Sequence, residues 1–484
     1  MNFYFEAAKV LDRLDAKQGS IKGIIATLPE KSRKRTAALV IETLKYKDVL
    51  NEVLNASQLL KEERKKITSR NLALVLVHDL LLANGIQASE GPVKQAVLRH
   101  KTRLHSEFTK IKVKRGAKST EELARSSDHR AANIPRYIRV NTACWTLPEA
   151  IGIFTSRGYT LCQATTTEKL RGKTFAQDEH IPNLLLFPSD TQFNEDPLYH
   201  SGKIILQDKA SCFPAFVLSP PSNDNAVVID ATAAPGNKTS HLSALMQGKG
   251  KLYAFERDRK RYSTLKMMLE KAKCKNVEPL NLDFLTVSPD DERYRKVTHI
   301  LLDPSCSGSG IVNRLDHLLE TESESDEEKE TRLSKLAAFQ LMMIKHAMKF
   351  PSVQRIVYST CSVHTTENEH VVRDALKSEE CQAGRFKLAD KKDVLPSWKR
   401  RGIPEEMDNP SEAASLIRCS PGEDATNGFF VSLFVRETAP SIAPDNKRKD
   451  SSQEGAQSDG AEPRHRKKRK KSAKTPRDAV TVFT

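Results

Sequence analysis

Cysteine occurs twice in a setting of small and hydroxylated residues. Cys306 lies in "LLDPSCSGSG" (301–310), and Cys361 lies in "YSTCS" (358–362). A thiolate is a nucleophile, and a thiol can also take up or return a proton, so two of them can divide a covalent reaction between attack and release. An acid, Asp303, precedes Cys306 by three residues, and a cation, Lys238, stands in "DATAAPGNK". A cysteine protease is the rival reading, because His364 follows Cys361 closely, but that chemistry leaves "DATAAPGNK" unexplained. Cys144, Cys162, Cys212, Cys274, Cys381 and Cys419 are expected to be reduced, small buried residues. No two cysteines share C-x-x-C spacing, so a zinc ribbon is excluded and no metal is expected.

The stretch "VVIDATAAPGNKTSHL" reads as a strand ending at Asp230, a loop of small residues and the start of a helix. Small residues let backbone approach a ligand, and Gly236 can take dihedrals that other residues resist. The helix start presents free N–H groups to an anion, either a phosphate or the carboxylate of an amino-acid-like cofactor. The spacing is neither G-x-x-x-x-G-K-[ST] nor G-x-G-x-x-G, which argues against ATP and NAD. Glu256 ends the next strand in "YAFERD", twenty residues after Gly236, where a carboxylate accepts two ribose hydroxyls. Asp283 in "NLDF", after a third strand, is placed for an adenine amino group. A free ribose without a phosphate clamp fits S-adenosyl-L-methionine best.

These residues need strand ends to hold them. From 203 to 437 strands alternate with helices: "AVVIDATAA", "KLYAFERD", "VEPLNLDF", "THILLDP", "RIVYSTCS" and "GFFVSLFVRE" are strands, and "RKRYSTLKMMLEKAKC", "LAAFQLMMIKHAMKF" and "ENEHVVRDALK" are helices. Such alternation predicts an α/β fold with a mostly parallel, Rossmann-like sheet whose ligand site lies at the carboxyl ends of the strands. Every small-residue motif above falls at such an end.

The flanks divide as follows. Residues 1–115 read as an all-helical domain, with Val40, Leu44, Leu50, Val53 and Leu54 at helical spacing. "LALVLVHDLLLAN" (72–84) is too short and too polar to span a bilayer and predicts a buried helix with His78 in its core. The start, "MNFYFEAAKVLDRLDAKQG", breaks every apolar run with charge and is not expected to be a secretory signal. Residues 116–133 read as a polar linker. Residues 134–202 read as a small α/β module, an RNA platform or a structural adaptor, with Arg136 and Arg139 of "PRYIRVNT" expected on one side of a strand. Within 203–437, the acidic stretch 318–332 reads as a mobile insertion. Residues 438–484 carry "RHRKKRKKSAK" and few apolar residues, which predicts a disordered basic tail and a nuclear or nucleolar address. Lys and Arg number 78 against 62 acids, a formal charge of +16, which favours a polyanion partner.

Together "PRYIRVNT", "GKIILQDKASC", "DATAAPGNKTSHL", "DPSCSGSG" and "YSTCS…ENE" resemble, in order, the Sun-domain (Fmu-type) RNA cytosine-5 methyltransferases. The helical N-terminal part and "DPSCSGSG" are most similar to the fifth member of that family, which acts on large-subunit ribosomal RNA. The family's Asp-Ala-Cys reads Asp230-Ala231-Thr232 here, and its Pro-Pro-Cys reads Pro304-Ser305-Cys306. The resemblance implies a class I methyltransferase domain preceded by an RNA-binding module. It implies that Thr232, Ala233, Ala234, Pro235, Gly236, Asn237 and Lys238 line S-adenosyl-L-methionine, with Glu256 on the ribose, Arg261 and Asp283 completing the pocket, and Asp303 between cofactor and base. Carbon 5 of cytosine is a poor nucleophile, so methylation there requires a thiolate on carbon 6, and afterwards a base must take the surplus proton. Chemistry alone leaves open which cysteine attacks. DNA enzymes of this type use the Pro-x-Cys cysteine, here Cys306, whereas the resemblance assigns attack to Cys361 and release to Cys306, with Asp303 and Lys238 assisting. The implied partner is large-subunit rRNA or a pre-ribosome, with no membrane, in the nucleus or nucleolus. The alternatives are a noncatalytic RNA-binding ribosome-assembly factor and a tRNA cytosine-5 methyltransferase.

Overall fold

The computed structural model describes residues 1–19, 21–125, 129–163, 170–312, 318 and 326–437. The N-terminal part is helical: α1 (Asn2–Asp15), α2 (Ile21–Ala26), α3 (Glu30–Lys45), α4 (Lys47–Ser57), α5 (Leu59–Glu62), α6 (Arg70–Leu82), α7 (Pro92–Arg99) and α8 (Lys101–Lys114). The periodic run through Val40 and Leu54 is two helices, broken at Tyr46. Helix α6 starts where the Ser69 side chain accepts from Leu72 N–H, and it is buried on every side from Asn71 to Leu80. His78 is a core residue, with Nδ1 3.0 Å from Asp79 Oδ1, and Tyr4 donates to the same carboxylate.

The small module contains β1 (Arg136–Val140), α9 (Leu147–Ser156), β2 (Thr160–Leu161), β3 (Thr174–Gln177), β4 (Leu184–Phe187), α10 (Pro197–His200) and β5 (Ile204–Leu206). Its strands form a sheet in the order β2-β3-β4-β1-β5. Helix α9 begins with a reciprocal capping box between Thr146 and Glu149. Phe154, Phe175, Phe187 and Phe193 meet beneath the sheet.

The largest part comprises α11 (Lys209–Leu218), β6 (Val227–Asp230), α12 (Asn237–Leu245), β7 (Lys251–Phe255), α13 (Arg259–Lys271), β8 (Val277–Leu280), β9 (His299–Leu302), α14 (Asp326–Met348), β10 (Arg355–Thr360), α15 (Glu369–Leu376), α16 (Glu379–Gly384), β11 (Phe386–Leu388), β12 (Ile417–Cys419) and β13 (Phe429–Arg436). Its sheet runs β11-β13-β10-β9-β6-β7-β8, with β12 on β13. Strands β10, β9, β6, β7 and β8 are mutually parallel, and β13 lies antiparallel to β10. The chain runs outward from β6 in one direction through β7 and β8, then returns to β9 on the other side. The switch point therefore lies between β6 and β9, at their carboxyl ends. Apolar side chains cover both faces of this sheet, as a parallel sheet requires.

Four expectations change. The small module does not end at 202, because Ile138 pairs with Leu206 and Val140 with Ile204. Residues 116–125 are docked rather than free: Leu123 is buried in the helical core, and Arg125 grips Asp48 at 2.7 and 2.9 Å. Residues 326–332 are not loop but the first turns of α14, where Asp326, Glu327 and Glu328 suit the positive end of the helix dipole. Residues 319–325 lie outside the described residues, as does the tail 438–484. Finally, Arg136 and Arg139 do not share a side, because residues three apart on a strand face opposite ways. Arg136 is half-buried, and Arg139 is buried against α12.

Candidate active site

Five consecutive parallel strands each deliver a residue to one cavity of about 600 Å³. Thr232 follows β6, Glu256 follows β7, Asp283 follows β8, Asp303 follows β9 and Cys361 follows β10, and all line it. The first loop is shaped from below by Asp230, which accepts from Thr239 Oγ1 at 2.7 Å and Thr232 N–H at 3.3 Å. Burial pushes that carboxyl up to about 6.

On one side of the cavity stand the groups expected to hold the cofactor. Thr232, Ala234, Pro235, Asn237, Lys238, Glu256, Arg261, Asp283 and Asp303 are on its wall. Arg261 donates to Ala234 O at 2.7 Å and lies 3.5 Å from Glu256 Oε2, so it ties the small-residue loop to the acid. Glu256 is buried, and its Oε1 accepts from Asp258 N–H at 2.9 Å. Asp283 accepts from Leu285 N–H and lies 3.6 Å from Arg257. Ala233 and Gly236 are not on this wall. Ala233 packs with Leu265 and Leu269 and donates its N–H to Phe255 O. Gly236 has φ +115°, and a Cβ there would meet Leu265 and Met268 at 3.3 and 3.4 Å. Its freedom thus serves the turn and the packing of α13, not a ligand. Two carboxylates at separate strand ends, beside a loop that opens into a helix, form a donor set suited to a nucleoside with an amino-acid tail.

On the other side stand the thiols. Cys306 Sγ and Cys361 Sγ are 3.1 Å apart. Lys238 Nζ lies 2.8 Å from Asp303 Oδ2, donates to Ser211 Oγ at 3.1 Å and sits over the Phe429 ring at 5.3 Å. Asp303 also accepts from Ser359 Oγ at 2.8 Å, and its N–H donates to Thr232 Oγ1 at 2.9 Å. Burial works against the Lys238 ammonium, but Asp303 outweighs it and the pKa is raised. The Cys306 thiol is pushed up, first by its hydrogen bond to Cys361 and then by burial. Two adjacent sulfurs cannot both carry charge, so ionisation of one keeps the proton on the other.

His364 is exposed. Among the described residues, Cys306 and Cys361 are the cysteines on the cavity wall. Burial pushes Cys212 up to about 12 and Cys381 up to about 11, which makes both inert. The wall also contains residues without a sequence-based expectation, among them Asp208, Asn427 and Phe429. Asp208 is held by Thr426 Oγ1 at 2.5 Å and Asn427 Nδ2 at 2.8 Å. The signals were "LQD" directly after a strand and the glycine-flanked "TNGFF", but their meeting spans more than 200 residues and no local pattern announces it.

Comparison with known proteins agrees with this architecture. Residues 215–435 match the family described as 16S rRNA methyltransferase RsmB/F. Residues 34–124 and 134–207 match the N-terminal and ferredoxin-like domains of NOL1/NOP2/Sun domain family member 5. The chain is 46% identical to the 25S rRNA (cytosine-C(5))-methyltransferase rcm1 of Schizosaccharomyces pombe, over 89% of this chain and 90% of that one. It is 42% identical to a 28S rRNA (cytosine-C(5))-methyltransferase of Mus musculus, over 92% and 93%. The crystal structure of PH0851 shares the fold, with a TM-score of 0.56 and 21% identity over 85% of this chain and 91% of that one.

Proposed function

Because the chain belongs to the NOL1/NOP2/Sun family, in the branch of its member 5, we propose that it is an S-adenosyl-L-methionine-dependent methyltransferase that makes 5-methylcytosine in large-subunit rRNA. The observation that carries this reading is the pair of thiols at 3.1 Å beside the Lys238–Asp303 ion pair, in the same cavity as Glu256 and Asp283.

When bound, S-adenosyl-L-methionine supplies the methyl group. Thr232, Ala234, Pro235, Asn237, Lys238 and Arg261 would form its cradle, with Glu256 accepting from the ribose and Asp283 from the adenine. The target base leaves its stack to enter the thiol side, which costs least in single-stranded or loop RNA. Cys361 adds through sulfur to carbon 6, and the displaced π pair makes carbon 5 nucleophilic. Lys238 and Asp303 bear a proton at the ring edge, where a hydrogen bond to nitrogen 3 stabilises the added negative charge. Lys238 also places a cation near Cys361, which favours a thiolate. Once that sulfur is bonded to carbon it carries no charge, and the main cause of Cys306's raised pKa is gone. Cys306 can then ionise and take the proton from carbon 5, whose bond electrons re-form the ring double bond as the Cys361 sulfur departs.

The +16 net charge supports an RNA partner, and "RHRKKRKKSAK" supports a nuclear or nucleolar address and a place in ribosome biogenesis. Bisulfite mapping of cellular RNA after depletion tests the reading. Loss of one large-subunit rRNA signal is expected; an unchanged rRNA map with a lost tRNA signal would overturn the substrate. Cys361→Ser is expected to abolish methylation while S-adenosyl-L-methionine still binds, and Cys306→Ala to leave protein covalently attached to RNA. A Cys361→Ser enzyme with full activity would overturn the assignment of attack to Cys361.

A further inference from the structure

Neither cysteine loop is rigid by composition, yet each must hold its sulfur within a fraction of an ångström of the same base. The residues that hold them are neighbours in sequence. Glu367 and Asn368 are both fully buried in the turn before α15. Glu367 accepts from Ser307 N–H at 2.9 Å and Ser307 Oγ at 2.5 Å. Gln340 Nε2 donates to the same carboxylate at 3.0 Å and to Ser305 O at 3.1 Å. The residues on both sides of Cys306 are thereby gripped, Ser307 by the buried acid and Ser305 by the glutamine bound to it. Asn368 does the same for the other cysteine. Thr360 Oγ1 donates to Asn368 Oδ1 at 2.5 Å, and Asn368 Nδ2 donates to Ser362 O at 3.0 Å. The next residue, Glu369, anchors the turn through a two-point contact with Arg418, at 2.6 Å on each oxygen.

We propose that Glu367 and Asn368 are separate positioning residues, Glu367 for the Cys306 loop and Asn368 for the Cys361 loop, so that one turn sets release and attack independently. The loops also touch directly, through Ser307 Oγ to Ser362 Oγ at 3.1 Å and Gly310 N–H to Cys361 O at 2.9 Å. Those bonds are common to both loops and set the spacing between them. The side-chain bonds of Glu367 reach the Cys306 loop and those of Asn368 the Cys361 loop, whereas Tyr358 of β10 donates to the Glu367 backbone carbonyl and to Gln340 Oε1, contacts that a change of the Glu367 side chain leaves in place. Loss of Glu367's grip leaves Cys361 in register, so carbon 6 is attacked and carbon 5 methylated. The carbon 5 proton then has no well-placed base, the C6–S bond does not break, and the adduct persists. Loss of Asn368's grip displaces Cys361 and the adduct does not form.

The proposal rests on the assignment of attack to Cys361 and release to Cys306, and two probes separate the two ideas. Large-subunit rRNA transcribed with 5-fluorocytidine has no proton to lose from carbon 5, so its trapping rate reports attack and methyl transfer without release. Ordinary transcript reports release through the denaturation-resistant adduct that accumulates. With full-length protein and S-adenosyl-L-methionine, Glu367→Gln is expected to trap the fluorinated RNA at the wild-type rate and to accumulate adduct on ordinary RNA by about tenfold or more, the effect of one lost charged hydrogen bond. Asn368→Ala is expected to trap fluorinated RNA about tenfold more slowly and to accumulate none. Thr360→Val removes a bond of the Asn368 set, and Ser307→Ala removes a bond of the Glu367 set together with the shared bond to Ser362; neither enters the buried turn, and each should repeat its partner's pattern if the first variants fold poorly. Equal loss of trapping in both pairs would overturn the proposal and make the turn a common anchor. Absence of adduct from Cys306→Ala, run alongside, would instead overturn the assignment of the two cysteines.

Discussion

Asp230 shows how a single buried group conditions the site. Burial raises its carboxyl to about 6 from 3.8. The folded chain therefore binds a proton more tightly than the unfolded one, and this group's contribution is greatest below the unfolded pKa and is lost as pH rises through the folded value. Asp230→Asn removes the titration. Its denaturant stability relative to wild type is expected to improve between pH 4 and pH 7 by up to about 3 kcal/mol, measured by urea unfolding at the two pH values. The residues around it were legible for a simple reason: Glu256, Asp303 and Cys361 directly follow strands, Asp283 and Cys306 come within four residues of one, and strand ends are visible in apolar runs. Glu367 and Asn368 were not legible as supports, because their bonds reach back to residues 60 and 8 positions away. Arg139 was misread because its neighbours look solvent-facing, whereas its partners lie on a helix about a hundred residues on.

At the scale of elements, that arginine joins β1 to α12. Arg139 donates to Gln207 at 2.7 Å, to Ser240 Oγ at 2.8 Å and to Asn237 O at 3.2 Å, and burial lowers its pKa to about 10. The small module thus holds the first turn of the helix behind the small-residue loop. Arg139→Met leaves these partners unsatisfied. It is expected to cost about 3 kcal/mol in denaturant unfolding and to weaken S-adenosyl-L-methionine in a binding titration. Phe187→Ala, which empties the centre of the module's aromatic cluster, is expected to cost about 3–5 kcal/mol in the same assay. The strand–helix alternation was readable throughout the large domain. Element edges were less so, as α14 shows: its acidic start resembles a solvated insertion, and only tertiary packing of Gln340, Met343 and Ile344 makes it the head of a helix.

At the scale of the whole molecule, the described residues up to Glu437 form one compact unit. No helix among the described residues is long and apolar enough to cross a membrane. An excess of cations acts on RNA mainly through displaced counterions, so binding of an rRNA transcript is expected to fall by about a hundredfold or more between 50 and 200 mM salt in a filter-binding titration. If the tail is a nuclear address, removal of residues 445–484 should move the protein out of the nucleus in imaging, and it should leave methylation of naked transcript within about twofold, because the described lining of the cavity ends at Phe429.

The two active-site sulfurs also form a two-electron couple. A disulfide bond is about 2.05 Å long, and the thiols stand at 3.1 Å, so about an ångström of loop motion closes one. A peroxide would take one electron and one proton from each thiol, leaving a disulfide and two molecules of water. Attack and release would then stop together, and a dithiol would restore both. Peroxide-treated protein is expected to lose two free thiols and its activity in parallel, with a mass decrease of about 2 Da and recovery on reduction. The same proximity that would let one sulfur finish what the other begins leaves the two open to oxidation as a pair.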